Sequence, residues 1–179
     1  MAEAFSNSLT RAAGIMTSWS GSSVAAASTA ITVTSATGIG VSHLVVNANY
    51  IAGTKVQQID GTTIYTDRAS TNSATATSQI VEFLGVTTAY TSPSGTKAIL
   101  VGGTFANNTA NSVNLTVSVY DQSTGTQTAL ASDIPVPTGS SFVITDSGKT
   151  VLEGLDEIRL YTDVANAIDA NLSILTGVS

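Results

Sequence analysis

In the stretch NSVNLTVSVYD, Val113, Leu115, Val117 and Val119 occupy every second position, with Asn114, Thr116, Ser118 and Tyr120 between them. An extended chain sends alternate side chains to opposite faces, so this pattern predicts a strand with one apolar and one neutral polar side. Ile168, Ala170, Leu172 and Ile174 repeat the pattern against Asp169, Asn171 and Ser173. Strand-length runs also occur in KAILVGGTF, TALASDI, SSFVIT and DEIRLYTDV, punctuated by Ser94-Gly95, Asn107-Asn108, Thr124-Gly125, Pro135-Val136-Pro137 and Ser147-Gly148. Short strands at this spacing, with no helical period between them, predict an antiparallel β-sandwich over residues 87–179, of jelly-roll or immunoglobulin-like type.

Upstream, AITVT, SHLVVN, KVQQIDGTTIY and QIVEFL predict a smaller β module over 20–86, with Asp60-Gly61 as a hairpin turn. Its alternation slips at Val45-Val46 and Gln57-Gln58. Residues 1–19 read differently. Phe5, Leu9, Ile15, Met16 and Trp19 are scattered among Ser, Asn, Thr and Ala without a clean period. Each large apolar side chain left in water forfeits about 1.5–3 kcal/mol relative to burial. The segment is therefore expected to be an extended assembly arm that lays these five residues over a neighbour; the alternative is that it folds back on its own module. The fold class expected is all-β: arm, small β module, sandwich.

Composition sharpens this picture. Only 10% of the chain is charged while 42% is hydrophobic, against roughly 25% charged in ordinary domains. A thinly charged surface suits a protein covered by neighbours. Asn114, Thr116 and Ser118 are accordingly expected to form a neutral interface face. A buried neutral group needs only a hydrogen bond, whereas an unpaired buried charge costs several kcal/mol. The net charge is −6, with three basic residues against four acidic in 1–86 and three against eight in 87–179. Six scattered basic residues build no patch able to release counterions, which argues against a nucleic-acid partner. No run approaches the ~18 apolar residues of a membrane helix, and Glu3 ahead of Arg11 makes the N-terminus a poor secretory signal.

Chemistry-bearing residues are few. There is no cysteine and one histidine, His43 in an apolar run, which leaves no zinc set and no Ser-His-Asp or Cys-His arrangement. Glu153, Asp156 and Glu157 cluster in LEGLDEIRLY, a spacing read as a turn leading into a strand rather than a calcium loop or an acid/base pair. Gly102-Gly103 sits inside a strand, where glycine marks a bulge or a close backbone approach. The expectation is a non-enzyme with no catalytic, cofactor or metal residues.

MAEAFSNSLTRAAGI, YIAGTKVQQIDGTTIYTDRASTN, TKAILVGGTFANNTANSVNLTVSVYD and IPVPTGSSFVITDSGKTVLE together resemble virion structural proteins of tailed phages that infect cyanobacteria. That resemblance implies a β-rich, non-enzymatic protein present in many copies per particle, assembled in the host cytoplasm, whose partners are copies of itself and capsid, neck or tail proteins. The placement expected first is a head-surface decoration or vertex protein, then a neck or tail appendage. A second class is a carbohydrate-binding sandwich directed at a host-surface glycan, which would need two or three coplanar aromatics.

Overall fold

A computed structural model of the chain describes residues 3–178, apart from the side chains of residues 145–148. It is all-β and antiparallel, with no helix among the described residues. In chain order the strands are β1 (Ala4–Ala13), β2 (Ile15–Val24), β3 (Ala30–Thr32), β4 (Leu44–Val46), β5 (Val56–Asp60), β6 (Thr63–Thr66) and β7 (Ala76–Gly85). Then follow β8 (Thr87–Thr91), β9 (Lys97–Asn107), β10 (Val113–Asp121), β11 (Thr126–Val136), β12 (Ser141–Leu152), β13 (Glu157–Thr162) and β14 (Ile168–Val178). Two compact units result: one from the residues up to Gly14 together with those from Thr87 on, the other from Ile15–Val86.

The first unit stacks two four-stranded sheets, β1-β14-β9-β12 and β11-β10-β13-β8. The alternation in β10 and β14 fills the space between them: Val113, Leu115, Val117, Ile168, Leu172 and Ile174 are all fully buried, around Leu100 and Phe105. Each such side chain contributes about 1.5–3 kcal/mol. Pairing is nested, β10 with β11, β9 with β12, β8 with β13 and β1 with β14. Gly103 belongs to this core, since a Cβ there would lie 2.8 Å from Leu172 Cδ2. The expected turn at Ser147-Gly148 is instead part of β12, which absorbs it as a register irregularity between Thr145 and Thr150.

The second unit is a six-stranded sheet, β4-β7-β2-β3-β6-β5, over a core that includes Val24, Ile31, Val56, Ile64, Val81 and Phe83. The β5–β6 hairpin turns one residue later than its sequence suggested. Asp60 pairs with Thr63, so the loop is Gly61-Thr62, with Gly61 at φ 57° in the glycine-first arrangement of a II′ turn.

The expected arm over residues 1–19 is the main departure. Residues 4–13 form an edge strand in register with β14, from Ala4 opposite Thr176 to Thr10 opposite Ala170. Ser8 Oγ donates to the Ala89 carbonyl at 2.8 Å, tying β1 to β8 of the facing sheet. Ile15, Met16 and Trp19 lie on β2, paired with β7. A polar inward set, Ser8 and Thr10, lets β1 close the sandwich without showing an apolar stripe in that phase of the sequence.

Candidate functional site: the outer face of the first sheet

β1, β14, β9 and β12 present their second face away from the core, and register fixes which residues meet there. One row runs Phe5–Leu175–Ile99–Val151 across all four strands. Two residue pairs further along lies Leu9–Asn171–Thr104–Val143. Phe5 is 67% exposed, Leu9 74% and Val151 52%. Between the rows sit Asn7 and Ser173, whose hydroxyl donates to Asn7 Oδ1 at 3.4 Å. The first row is apolar across all four strands, and exposed apolar surface of this kind marks an interaction site.

Charged side chains stand at the two ends of this face. Arg11 and Asp169 stand together at one end, and the exposed Lys97 and Lys149 mark the other. Asp169 Oδ1 accepts the Ala12 N–H at 2.8 Å. That bond and then one with Asn108 hold its carboxyl below the usual range against an opposing burial effect, with the nearby Arg11 charge the smallest contributor. Beside them opens a groove of about 440 Å³, lined by Leu9, Arg11, Thr104, Ala106, Asp169 and Asn171 among others. Its lining contains no aromatic ring.

The expected arm residues therefore divide. Phe5 and Leu9 stand on this face, while Ile15, Met16 and Trp19 belong to the second unit, where Trp19 packs against the core. Sequence reading missed Ile99, Val143, Val151 and Leu175, whose grouping depends on strand register alone.

Of the neutral face expected on β10, Ser118 is buried within the chain itself, while Thr116 and Asn114 are half-buried. Ser118 is 1% exposed; it accepts from Gln127 Nε2 at 2.8 Å and donates to the Arg159 carbonyl at 3.4 Å. Tyr161 OH donates to Gln127 Oε1 at 2.9 Å, and burial raises the phenol's pKa. Thr116 Oγ1 accepts the Asp133 N–H at 3.0 Å, at a bulge where Asp133 takes φ 53°. Asn114 is half-buried; its N–H donates to Asp163 Oδ1 at 2.8 Å and its carbonyl accepts the Asp163 N–H at 3.3 Å. Arg159 lies 3.5 Å over the Tyr120 ring. Hydroxyls replace Lys and Glu on this face because neighbouring strands use them.

The acidic cluster is likewise divided. Asp156 accepts from Gln122 N–H through Oδ1 at 3.1 Å and from Glu153 N–H through Oδ2 at 2.9 Å. Glu153 pairs with Lys97 at 3.0 Å, and Glu157 with Arg159 at 2.7 Å. Among the described residues, no three His, Cys, Asp or Glu side chains converge on a common point. Burial depresses the pKa of His43, whose Nδ1 accepts the Gly40 N–H at 3.2 Å. An Nδ1 acceptor requires the neutral ring.

No protein-family model matches the chain, and no curated protein and no solved structure is detectably similar to it.

Proposed function

We propose that this chain is a non-enzymatic, multicopy structural protein of a tailed-phage particle, in which the outer face of the β1-β14-β9-β12 sheet is covered by protein. The observation that carries the reading is the exposure of Phe5, Leu9, Val143 and Val151 on one sheet surface. A free monomer gains nothing from that arrangement, whereas a protein destined to be covered by protein does. The nested strand order supports it as well: four antiparallel pairs rolled into two sheets is what a jelly roll calls for, an architecture shared by viral capsid proteins and lectins. Connectivity by itself assigns no function, so the exposed face and the resemblance in sequence bear the weight. A compact β-sandwich with one apolar sheet face suits an added component on the head surface better than a shell-forming lattice subunit. The glycan-binding alternative draws no support from the groove, which offers no ring for a sugar to stack on.

Quantitative mass spectrometry of purified particles from infected cells tests the reading. The chain is expected in many copies per particle, and Phe5→Ser with Leu9→Ser is expected to reduce incorporation at least about tenfold, a loss of roughly 1.4 kcal/mol in docking. Particles that lack the wild-type chain would overturn the proposal.

A further inference from the structure

We propose that the outer face of the β1-β14-β9-β12 sheet is covered by a second copy of this chain. The packing is two-fold and face to face: each Leu9 seats in the other copy's groove, and Arg11 of each meets Asp169 of the other. The inference rests on the reading of this face as a contact surface and is independent of which particle the protein joins.

Three observations select a second copy over a foreign partner. The first is charge. The chain carries −6 overall, so two copies repel wherever their acidic surfaces approach, and like charges set opposite one another cost several kcal/mol. On this face Arg11 is met by Asp169 and Lys97 by Glu153, with Lys149 beside them. Arg11 and Asp169 are neighbours at the β1–β14 pair, because Thr10 is opposite Ala170 and Ala13 opposite Ile168. A two-fold axis beside them brings each Arg11 to the other copy's Asp169, which is the self-complementarity that a closed dimer requires. A basic partner would instead be drawn to the acidic surfaces elsewhere.

The second observation is shape. Leu9 projects with 74% of its surface exposed, and it also forms one wall of the about 440 Å³ groove. Knob and hole lie side by side on one patch. Turning a copy about an axis through the groove puts each knob over the other's hole.

Size is the third. Four strands at about 4.8 Å spacing and ten residues at about 3.3 Å rise make a face of about 19 by 33 Å, or roughly 630 Å². Two such faces bury about 1,260 Å², above the approximately 1,000 Å² expected of a specific interface. Stacked β-sheets tolerate this packing readily, with strands crossing at about 30°.

Sedimentation equilibrium of the purified full-length chain across a wide concentration range is the test. The wild type is expected to form a dimer and no larger species. Leu9→Glu, a change at a well-exposed position, is expected to keep its melting temperature and weaken dimerisation at least about tenfold. Arg11→Asp and Asp169→Arg are each expected to be monomeric alone and to dimerise when mixed. Mixing places two acids opposite two bases, whereas a role confined within one chain cannot be rescued from another. If loss of the Ala12 bond unfolds Asp169→Arg, Leu9→Glu alone decides. A monomeric wild type, a trimer or ring, an undiminished Leu9→Glu dimer, or two folded charge variants that fail to pair would each overturn the inference. A monomer that still joins particles would leave the assembly proposal standing. A dimer absent from particles would do the reverse.

Discussion

Asn107, at the end of β9, uses every hydrogen-bonding site of its amide. Nδ2 donates to the carbonyls of Asn111 at 2.7 Å and Val136 at 2.8 Å; Oδ1 accepts the backbone N–H and the hydroxyl of Thr109, both at 2.8 Å. Only an amide offers two donors and a two-lone-pair acceptor on one planar group. The residue is nearly buried, so removing its side chain strands the carbonyls that it serves. Asn107→Ala is expected to cost about 2–4 kcal/mol in chemical unfolding, several buried bonds being lost at once. Asn107→Asp separates this account from a simple loss of volume. Its carboxylate would face two carbonyl oxygens, so at neutral pH it should be at least as damaging as Ala. That environment raises the carboxyl's pKa, so the deficit should shrink as acid protonates it. An Asp variant as stable as the wild type at neutral pH would contradict the bonding described. Asp156 does comparable work with two oxygens and two backbone N–H groups. In both cases the sequence offers a polar residue near a turn, and the partners that give it a role lie up to 34 residues away.

At the scale of elements, legibility followed the direction in which apolar residues point. β10 and β14 could be read because their apolar sets face the core, as the period-two rule assumes. β1 inverts the rule: Ser8 and Thr10 face the opposite sheet while Phe5 and Leu9 face out. A reader who assigns apolar residues to the inside finds no strand there and concludes that the segment is an arm. The outer face of β10 misleads in the opposite sense, because its small hydroxyls look available until register shows Gln127 and Asp133 already bonded to them. The difference between arm and strand is testable. Removing residues 1–13 leaves β14 as a bare edge, breaks the bonds from Ser8 and Thr10 to Ala89, and takes the buried Ala13 from the core. With backbone pairing along eight registered positions lost as well, the expected cost is about 3 kcal/mol or more in unfolding free energy. Hydrogen exchange should accelerate selectively along residues 168–176. An arm would leave both measurements unchanged, and that outcome would refute the pairing.

For the whole molecule, the consequence of that pairing is that the chain does not run through its units in order. The strand that pairs with β14 comes first, so the first unit is begun at residue 4, interrupted at Gly14 and resumed at Thr87. Local pattern carries no trace of this, since Ala4 and Thr176 are joined only by folding. Gly14 shows why the interruption is tolerated. Its φ of 128° is open to glycine, and a Cβ would meet Thr162 Oγ1 and come within 2.5 Å of the Val164 carbonyl oxygen. Its N–H donates to Thr87 Oγ1 at 3.2 Å, so the two points where the chain leaves and returns are neighbours. The eight strands and their core belong to this unit alone. Deleting residues 15–86 and joining Gly14 to Thr87 through a short glycine linker is therefore expected to yield a folded sandwich. The loop to be closed is short, and the entropic cost of closing it is small beside the burial retained. Circular dichroism should show β-structure that melts in one cooperative transition, and Leu9→Glu should weaken dimerisation of the shortened chain as it does the full one. A deletion product with strand signal but no cooperative melt would mean that the sandwich depends on the inserted residues, and the description of two self-sufficient cores would fail.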